Sequence, residues 1–212
     1  MGAVLVNGVV LHVEAHGTGV PILGIHGTGS SASLWARAVP ELAARGRVIL
    51  YDRRGCGRSE RRATGSSGVR SHADDAAALV DALDASPAVV IGRSYGGEVA
   101  VDLALRYPAL VRCLVLLEPS MPMLSPESRD WLERLRRRLP PGTAPADAAA
   151  RLIEAAFGEG TWEQLPDEMR TLFVDNGDAI LTEVHGAWTQ PSAPELAQLD
   201  VPTLLLSGDD SP

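Results

Sequence analysis

The segment Ala88-Val89-Val90-Ile91-Gly92-Arg93-Ser94-Tyr95-Gly96-Gly97 constrains this chain more than any other. An apolar run ends in Gly-x-Ser-x-Gly and a helical pattern follows. The spacing predicts a strand that turns sharply into a helix, with Ser94 at the tip of the turn. A residue at such a tip is held in strained backbone, so its neighbours two positions away on either side must be small. Gly92 and Gly96 meet that need. The helix then aims its first N–H groups at the serine oxygen and at any oxyanion beside it. The competing reading is a glycine-rich turn with a chance serine.

Around this turn, strand and helix patterns alternate. Residues 4–13 read as a hairpin about Asn7-Gly8, with β-branched residues on both sides. Apolar strands are expected near 21–26, 47–52, 88–93, 111–118 and 203–207, and helices near 31–45, 71–86 and 95–107. Ser71 with Asp74 resembles a capping box, and Pro108 ends the third helix. Such alternation predicts an α/β fold: a mostly parallel sheet flanked by helices on both faces, with ligands at the C-terminal strand ends. From 120 to 198 the strand runs vanish. Amphipathic patterns follow one another there: Trp131/Leu132/Leu135/Leu139, Leu152/Ile153/Ala156/Phe157, Leu165/Met169/Leu172/Phe173 and Leu181/Val184/His185/Trp188. The expected division is a core of 1–119 and 199–212, with 120–198 as an all-helical insertion.

Three further segments, in order along the chain, carry a resemblance. Pro21-Ile22-Leu23-Gly24-Ile25-His26-Gly27-Thr28-Gly29 runs a strand into His-Gly-x-Gly. Asp52-Arg53-Arg54-Gly55-Cys56-Gly57-Arg58-Ser59 forms Asp-x-Arg-Gly-x-Gly-x-Ser after another strand. Pro202-Thr203-Leu204-Leu205-Leu206-Ser207-Gly208-Asp209-Asp210 closes the set. With the Ser94 turn they resemble the α/β-hydrolase family over nearly the whole chain. The resemblance implies a nucleophile elbow at Ser94 and a helical cap over 120–198. It also implies an oxyanion hole from the N–H groups of Thr28 and Tyr95, and a triad in the order Ser, acid, His. The acid is Asp210, Glu118 or Asp209. None of the five histidines (His12, His16, His26, His72, His185) follows the acid. The expectation is a fragment whose histidine segment lies beyond Pro212, or a form without that segment.

His26 is expected to orient the oxyanion loop, and His72, at a helix start, to lie on the surface. His185 is either a pocket residue or a packed cap residue. Met121, Trp131, His185 and Trp188 are the candidate substrate contacts. Arg93 pairs with a nearby carboxylate or attracts a substrate anion. Asp52 holds the turn at 53–58, Cys113 is a buried hydrophobe, and Cys56 is a loop residue open to solvent. Arg136-Arg137-Arg138 reads as a solvated helix face.

Composition narrows the partners. The net charge of −8 argues against nucleic acid, and no apolar run is long enough to span a membrane. Two cysteines make no disulfide framework, no His/Cys cluster has metal-ligand spacing, and the glycine runs are not nucleotide loops. The expectation is a cytoplasmic enzyme without metal or cofactor that acts on a small molecule. It would be a serine hydrolase of a carboxylic ester, thioester or lactone, working through an acyl-enzyme on Ser94. The alternatives are a non-catalytic binding protein or inactive remnant on the same scaffold, and a cyclase or lyase. Oligomeric state is not readable from the sequence.

Overall fold

The computed structural model describes residues 2–61, 68–122, 124–186, 188 and 191–208. The hairpin forms as expected from β1 (Gly2–Val6) and β2 (Val9–His16). Asn7 and Gly8 take φ 47° and 75°, the left-handed pair that a two-residue hairpin turn needs. The apolar runs become β3 (Pro21–Ile25), β4 (Arg47–Tyr51), β5 (Ala88–Arg93), β6 (Val111–Leu117) and β7 (Thr203–Leu206). They build one seven-stranded sheet in the order β1-β2-β4-β3-β5-β6-β7. The hairpin joins β4 antiparallel; every pairing from β4 to β7 is parallel.

The helical pattern at 31–45 breaks into a 3₁₀ turn, Ala32–Trp35, and a short α1 (Val39–Ala43). Pro40 explains the break, because it has no N–H to donate and its ring crowds the preceding turn. The helix α2 (Val69–Ala82) begins earlier than expected. Gly68 is its N-cap, and Ser71 sits at the third helical position, where its Oγ bonds the Gly68 backbone. Asp74 does not close a capping box; it accepts from Arg106 and from the Tyr107 hydroxyl, 2.7 Å away. The helix α3 (Tyr95–Arg106) stops just before Pro108.

Alternation along the strands sorts the core into two faces. Leu23, Ile25, Ile49, Tyr51 and Val90 pack with α2 and α3; Ile22, Val48, Leu50 and Ile91 pack with Trp35 and α1. From β3 the chain steps outward to β4 on one side, then returns to place β5 on β3's other side. The β3/β5 boundary is therefore a topological switch point, where the loops leaving the two strands diverge and open a crevice.

Between β6 and β7 lie α4 (Pro126–Arg138), α5 (Pro145–Phe157), α6 (Thr161–Gln164), α7 (Asp167–Asp175), α8 (Gly177–His185) and α9 (Ala193–Leu196). Leu135, Leu139, Leu152, Ile153, Phe173, Ile180 and Val184 give this helical layer its own apolar cluster. Of the arginine run, Arg137 and Arg138 are exposed as expected. Arg136 instead reaches the α8 C-terminus and donates to Val184 O (3.0 Å) and Gly186 O (3.3 Å). Strand β7 is exposed along its length, with Leu204, Leu205 and Leu206 open to solvent.

A β-carbon at Gly96 would press on the backbone carbonyls of Ile25 and His26, whereas one at Gly2 would meet nothing within 4 Å. Backbone cannot yield as a side chain can. Gly96→Ala should therefore lose about 3 kcal/mol or more in urea unfolding, while Gly2→Ala should match the parent chain. Equal midpoints for the two variants would contradict the packing of α3 on β3.

Candidate active site

Ser94 stands at the junction of β5 and α3, with φ 51° and ψ −124°. This is left-handed backbone in a non-glycine residue, the strain that the Gly-x-Ser-x-Gly spacing predicts. Its N–H donates to Leu117 O at 3.0 Å, and its carbonyl accepts from Gly97 N at 2.8 Å and Ser120 N at 3.1 Å. Among the described residues its hydroxyl has no hydrogen-bond partner, and the side chain is partly exposed. The loop after β3 lies against it: a β-carbon on Gly27 would stand 3.2 Å from Ser94 Cβ and 3.7 Å from Oγ. Thr28 follows on that loop, and Tyr95 is the first residue of α3. Among the described residues neither backbone N–H of this pair has an acceptor.

The loop that carries Thr28 rests on a buried polar network. His26 is fully buried; its Nδ1 donates to Gly27 O (2.9 Å) and its Nε2 accepts from Arg53 N (3.0 Å). The Arg53 guanidinium, also fully buried, donates to His26 O through Nε and to Gly27 O through Nη2, both at 3.0 Å. Its Nη1 lies 2.7 Å from Glu183 Oε1 and 3.1 Å from His72 Nε2, and its Cζ sits 4.9 Å from the centre of the Tyr95 ring. Burial opposes the Arg53 charge, and the adjacent Glu183 carboxylate outweighs it, so the guanidinium stays protonated.

The helical layer reaches this network from above. A β-carbon on Gly29 would stand on Ile180 and Phe173, and Asn176 Oδ1 accepts from Gly57 N at 2.7 Å. Trp188 packs edge-on to Tyr95 at 5.2 Å and donates to Glu183 O at 3.0 Å.

The structure brings some candidate residues together and separates others. Ser94 and Tyr95 are adjacent at the turn, Gly27 beside Thr28 lies against Ser94, Trp188 packs on the Tyr95 ring, and Met121 packs on the core. Trp131 lies inside the helical layer, donating to Ala155 O at 3.3 Å. His185 is exposed, and its Nε2 donates to Leu139 O at 2.5 Å, which ties α8 to the end of α4 instead of facing Ser94. Glu118 follows β6 with φ 46°; it is exposed, and its Oε1 accepts from Gly208 N at 3.0 Å. Asp209 and Asp210 lie outside the described residues, as does Met123. Arg93 makes no ion pair among the described residues. Neither of two clefts found elsewhere, of about 360 and 530 Å³, is lined by Ser94.

Several expectations need correction. His72 is buried, not on the surface, because α2 turns it inward against Arg53 and the Tyr95 ring. Cys56 is buried under Glu183, and burial pushes its thiol up to about 12, so it is not a reactive loop cysteine. Cys113 is only half-buried. Asp52 does hold its turn, accepting from Ala32 N (2.7 Å) and Arg58 N (2.8 Å). Arg53 and Glu183 were not singled out from the sequence. A trace existed for Glu183: it shares the helical register of Ile180 and Val184, both buried. Among the described residues no cluster of three or more His, Cys, Asp or Glu could hold a metal, and no helix is long and apolar enough to cross a membrane.

Burial, and then the Arg53 charge, holds His26 and His72 well below the ordinary value of 6.5. The fold keeps both neutral while the unfolded chain takes up protons below about 6.5. Neither group affects stability above that value, and each removes up to about 1.4 kcal/mol per pH unit as pH falls below it. Urea-unfolding free energies measured across that range should fall less steeply in His72→Gln than in the parent, by about one proton. An identical slope would show that His72 takes up its proton in the folded state.

Comparisons with known proteins agree with this geometry. A family model for the alpha/beta hydrolase fold matches residues 20–212. The 2-hydroxymuconate semialdehyde hydrolase of Pseudomonas sp. (strain CF600) is 38% identical over 117 residues, 54% of this chain and 41% of that protein. The chain therefore aligns with less than half the length of this curated relative. The enol-lactonase of Burkholderia xenovorans LB400 superposes with a TM-score of 0.80 at 27% identity, over 98% of this chain and 81% of the other. A thermophilic esterase from Thermogutta terrifontis does so at 0.76 and 28% identity, over 96% and 76%. With the sharp strand-to-helix turn at Ser94 and the sheet order in place, and the family model spanning residues 20–212, this chain belongs to the α/β-hydrolase fold family.

Proposed function

We propose that this chain is a serine hydrolase that cleaves a carboxylic ester, thioester or lactone through an acyl-enzyme on Ser94. The observation that carries the reading is the strained backbone of Ser94, held against Gly27 with its hydroxyl unengaged. In this reading Ser94 Oγ attacks the carbonyl carbon as a base takes its proton. The N–H groups of Thr28 and Tyr95 receive the negative charge that develops on the carbonyl oxygen, each contributing about 3 kcal/mol. Collapse of the tetrahedral intermediate expels the alcohol or thiol, and water then releases the acyl group. Asp210 is the proposed acid of the triad, with Glu118 and Asp209 as alternatives. Helices α4–α9 act as a cap, and Trp188 and Met121 contact the substrate. The relatives named as an esterase, an enol-lactonase and a semialdehyde hydrolase support hydrolysis at a carbonyl.

The contacts of the five histidines of this chain run to groups other than the Ser94 hydroxyl. His26 and His72 are buried in hydrogen bonds, His185 is tied to Leu139, and His12 and His16 face Glu14 on β2. The second reading is a binding protein on the hydrolase scaffold, in which the unengaged Ser94 hydroxyl does no chemistry.

A fluorophosphonate probe separates the two. The folded, full-length protein should be labelled at Ser94, and Ser94→Ala should abolish the labelling. Hydrolysis of p-nitrophenyl acetate should fall at least about 10³-fold in that variant. Absence of labelling in the folded, full-length protein would favour the binding reading, and equal labelling of both forms would overturn Ser94 as the nucleophile.

A further inference from the structure

The polar network beneath Ser94 holds more than the loop's position. Gly27 O accepts from Arg53 Nη2 and from His26 Nδ1, and His26 O accepts from Arg53 Nε. Both carbonyls thus point at the guanidinium. The Gly27–Thr28 peptide is trans, and a planar trans peptide sends its N–H opposite to its C=O. Fixing Gly27 O on Arg53 therefore turns the Thr28 N–H away from Arg53. Ser94, at the β5–α3 junction, lies against this loop, its Oγ 3.7 Å from where a Gly27 β-carbon would be.

Arg53 cannot hold this post alone. A guanidinium with no exposure, surrounded by carbonyls, an imidazole and an aromatic ring, needs a counter-charge in contact. Glu183 supplies it at 2.7 Å, and Glu183 belongs to α8 in the helical layer. Its carboxylate is buried as well. Its Oε2 has no hydrogen-bond partner among the described residues, so the group's polar contacts run through Oε1 toward Arg53 and Cys56. Lifting α8 would strip the counter-charge from Arg53 and invite water to the guanidinium, loosening both carbonyls.

We propose that Arg53 and Glu183 are positioning residues for the oxyanion loop, so that the seating of α8 on the core sets the direction of the Thr28 N–H. This rests on the reading of Ser94 as nucleophile. Neither side chain touches the substrate; each acts through the Gly27–Thr28 peptide.

The test uses the full chain and two variants. Arg53→Met with Glu183→Leu replaces the ion pair by apolar groups of similar size, a change that buried pairs tolerate without loss of the fold. Glu183→Gln keeps the shape and removes only the charge. Thermal melts, kcat and KM for p-nitrophenyl acetate, and a crystal structure of the double variant are the readouts. The double variant should melt near the parent, lose about 10²–10³-fold in kcat with KM little changed, and show the Gly27–Thr28 peptide turned or without one orientation. Glu183→Gln should lie between, and its loss decides the matter should the double variant not fold. A folded double variant with the parent's kcat and peptide orientation overturns the proposal, as does parental kcat in Glu183→Gln. Activity that survives Ser94→Ala overturns the nucleophile reading instead, and the peptide orientation then decides the positioning role by itself.

Discussion

Three stretches of backbone meet at the β5–α3 turn with no side chain between them, and much of the architecture follows from that contact. A β-carbon at Gly92 would stand on Gly96 and Gly97, one at Gly96 on the carbonyls of Ile25 and His26, and one at Gly27 on Ser94. The approach forces Ser94 to φ 51°, at a cost of about 1–3 kcal/mol. Three hydrogen bonds flanking it, from Ser94 N, Gly97 N and Ser120 N, return only about 1 kcal/mol each. The larger compensation is apolar. Val99, Val101 and Leu103 on α3 are buried, and each contributes about 1.5–3 kcal/mol. The strain is thus held by packing along the whole helix, which is why it persists at a residue with little local support.

The buried ion pair has a different balance. Removing two charges from water costs several kcal/mol per ion. Their attraction at contact, with an effective dielectric near 20, returns about 4 kcal/mol, and the further hydrogen bonds of Arg53 add about 1.5–3 kcal/mol each. The sum lies close to zero, so the pair is not what makes the fold stable. Loss of one partner is another matter, at about 3–5 kcal/mol. An arrangement that is neutral when complete and costly when broken penalises every seating of α8 but one. Trp188 adds to this, because it holds Glu183 O while packing on Tyr95.

The fold was legible where the sequence pattern had a local cause. Asn7-Gly8 fixed the hairpin, the Val- and Leu-rich runs fixed the strands, and Gly92 and Gly96 fixed the elbow, since each depends on residues adjacent in the chain. The misreadings share a cause too: they concern what a residue meets from distant sequence. The expected face of α8, Leu181, Val184 and His185, is right at Val184, but Ile180 and Glu183 share the buried side with it while Leu181 is half-buried and His185 exposed. A short helix with apolar residues on two sides does not reveal its buried face. His72 and Cys56 looked like exposed positions because Arg53 and Glu183, which bury them, lie 19 and 127 residues away. Of the proposed site, Ser94 could be named from spacing, and Thr28 and Tyr95 from the resemblance to the α/β-hydrolase family. The network that orients them could not, because Arg53 reads from the sequence as one more turn arginine.

The switch point of the sheet explains why orientation, more than position, is the demanding part of this site. The ends of β3 and β5 are neighbours by hydrogen-bond register, with Ile25 opposite Gly92, so the sheet itself brings the two candidate oxyanion donors close. The sheet does not decide which way the loop peptide faces beyond Ile25, because the ladder ends there. That choice passes to groups outside the sheet: an imidazole from the loop, a guanidinium from the turn after β4, and a carboxylate from the helical layer. Helix α8 therefore carries two duties, since Trp188 just beyond it packs on Tyr95 while Glu183 faces the loop. On the proposed reading, substitutions in α8 would also turn the Thr28 N–H, so that the helical layer and the loop are coupled through one buried contact.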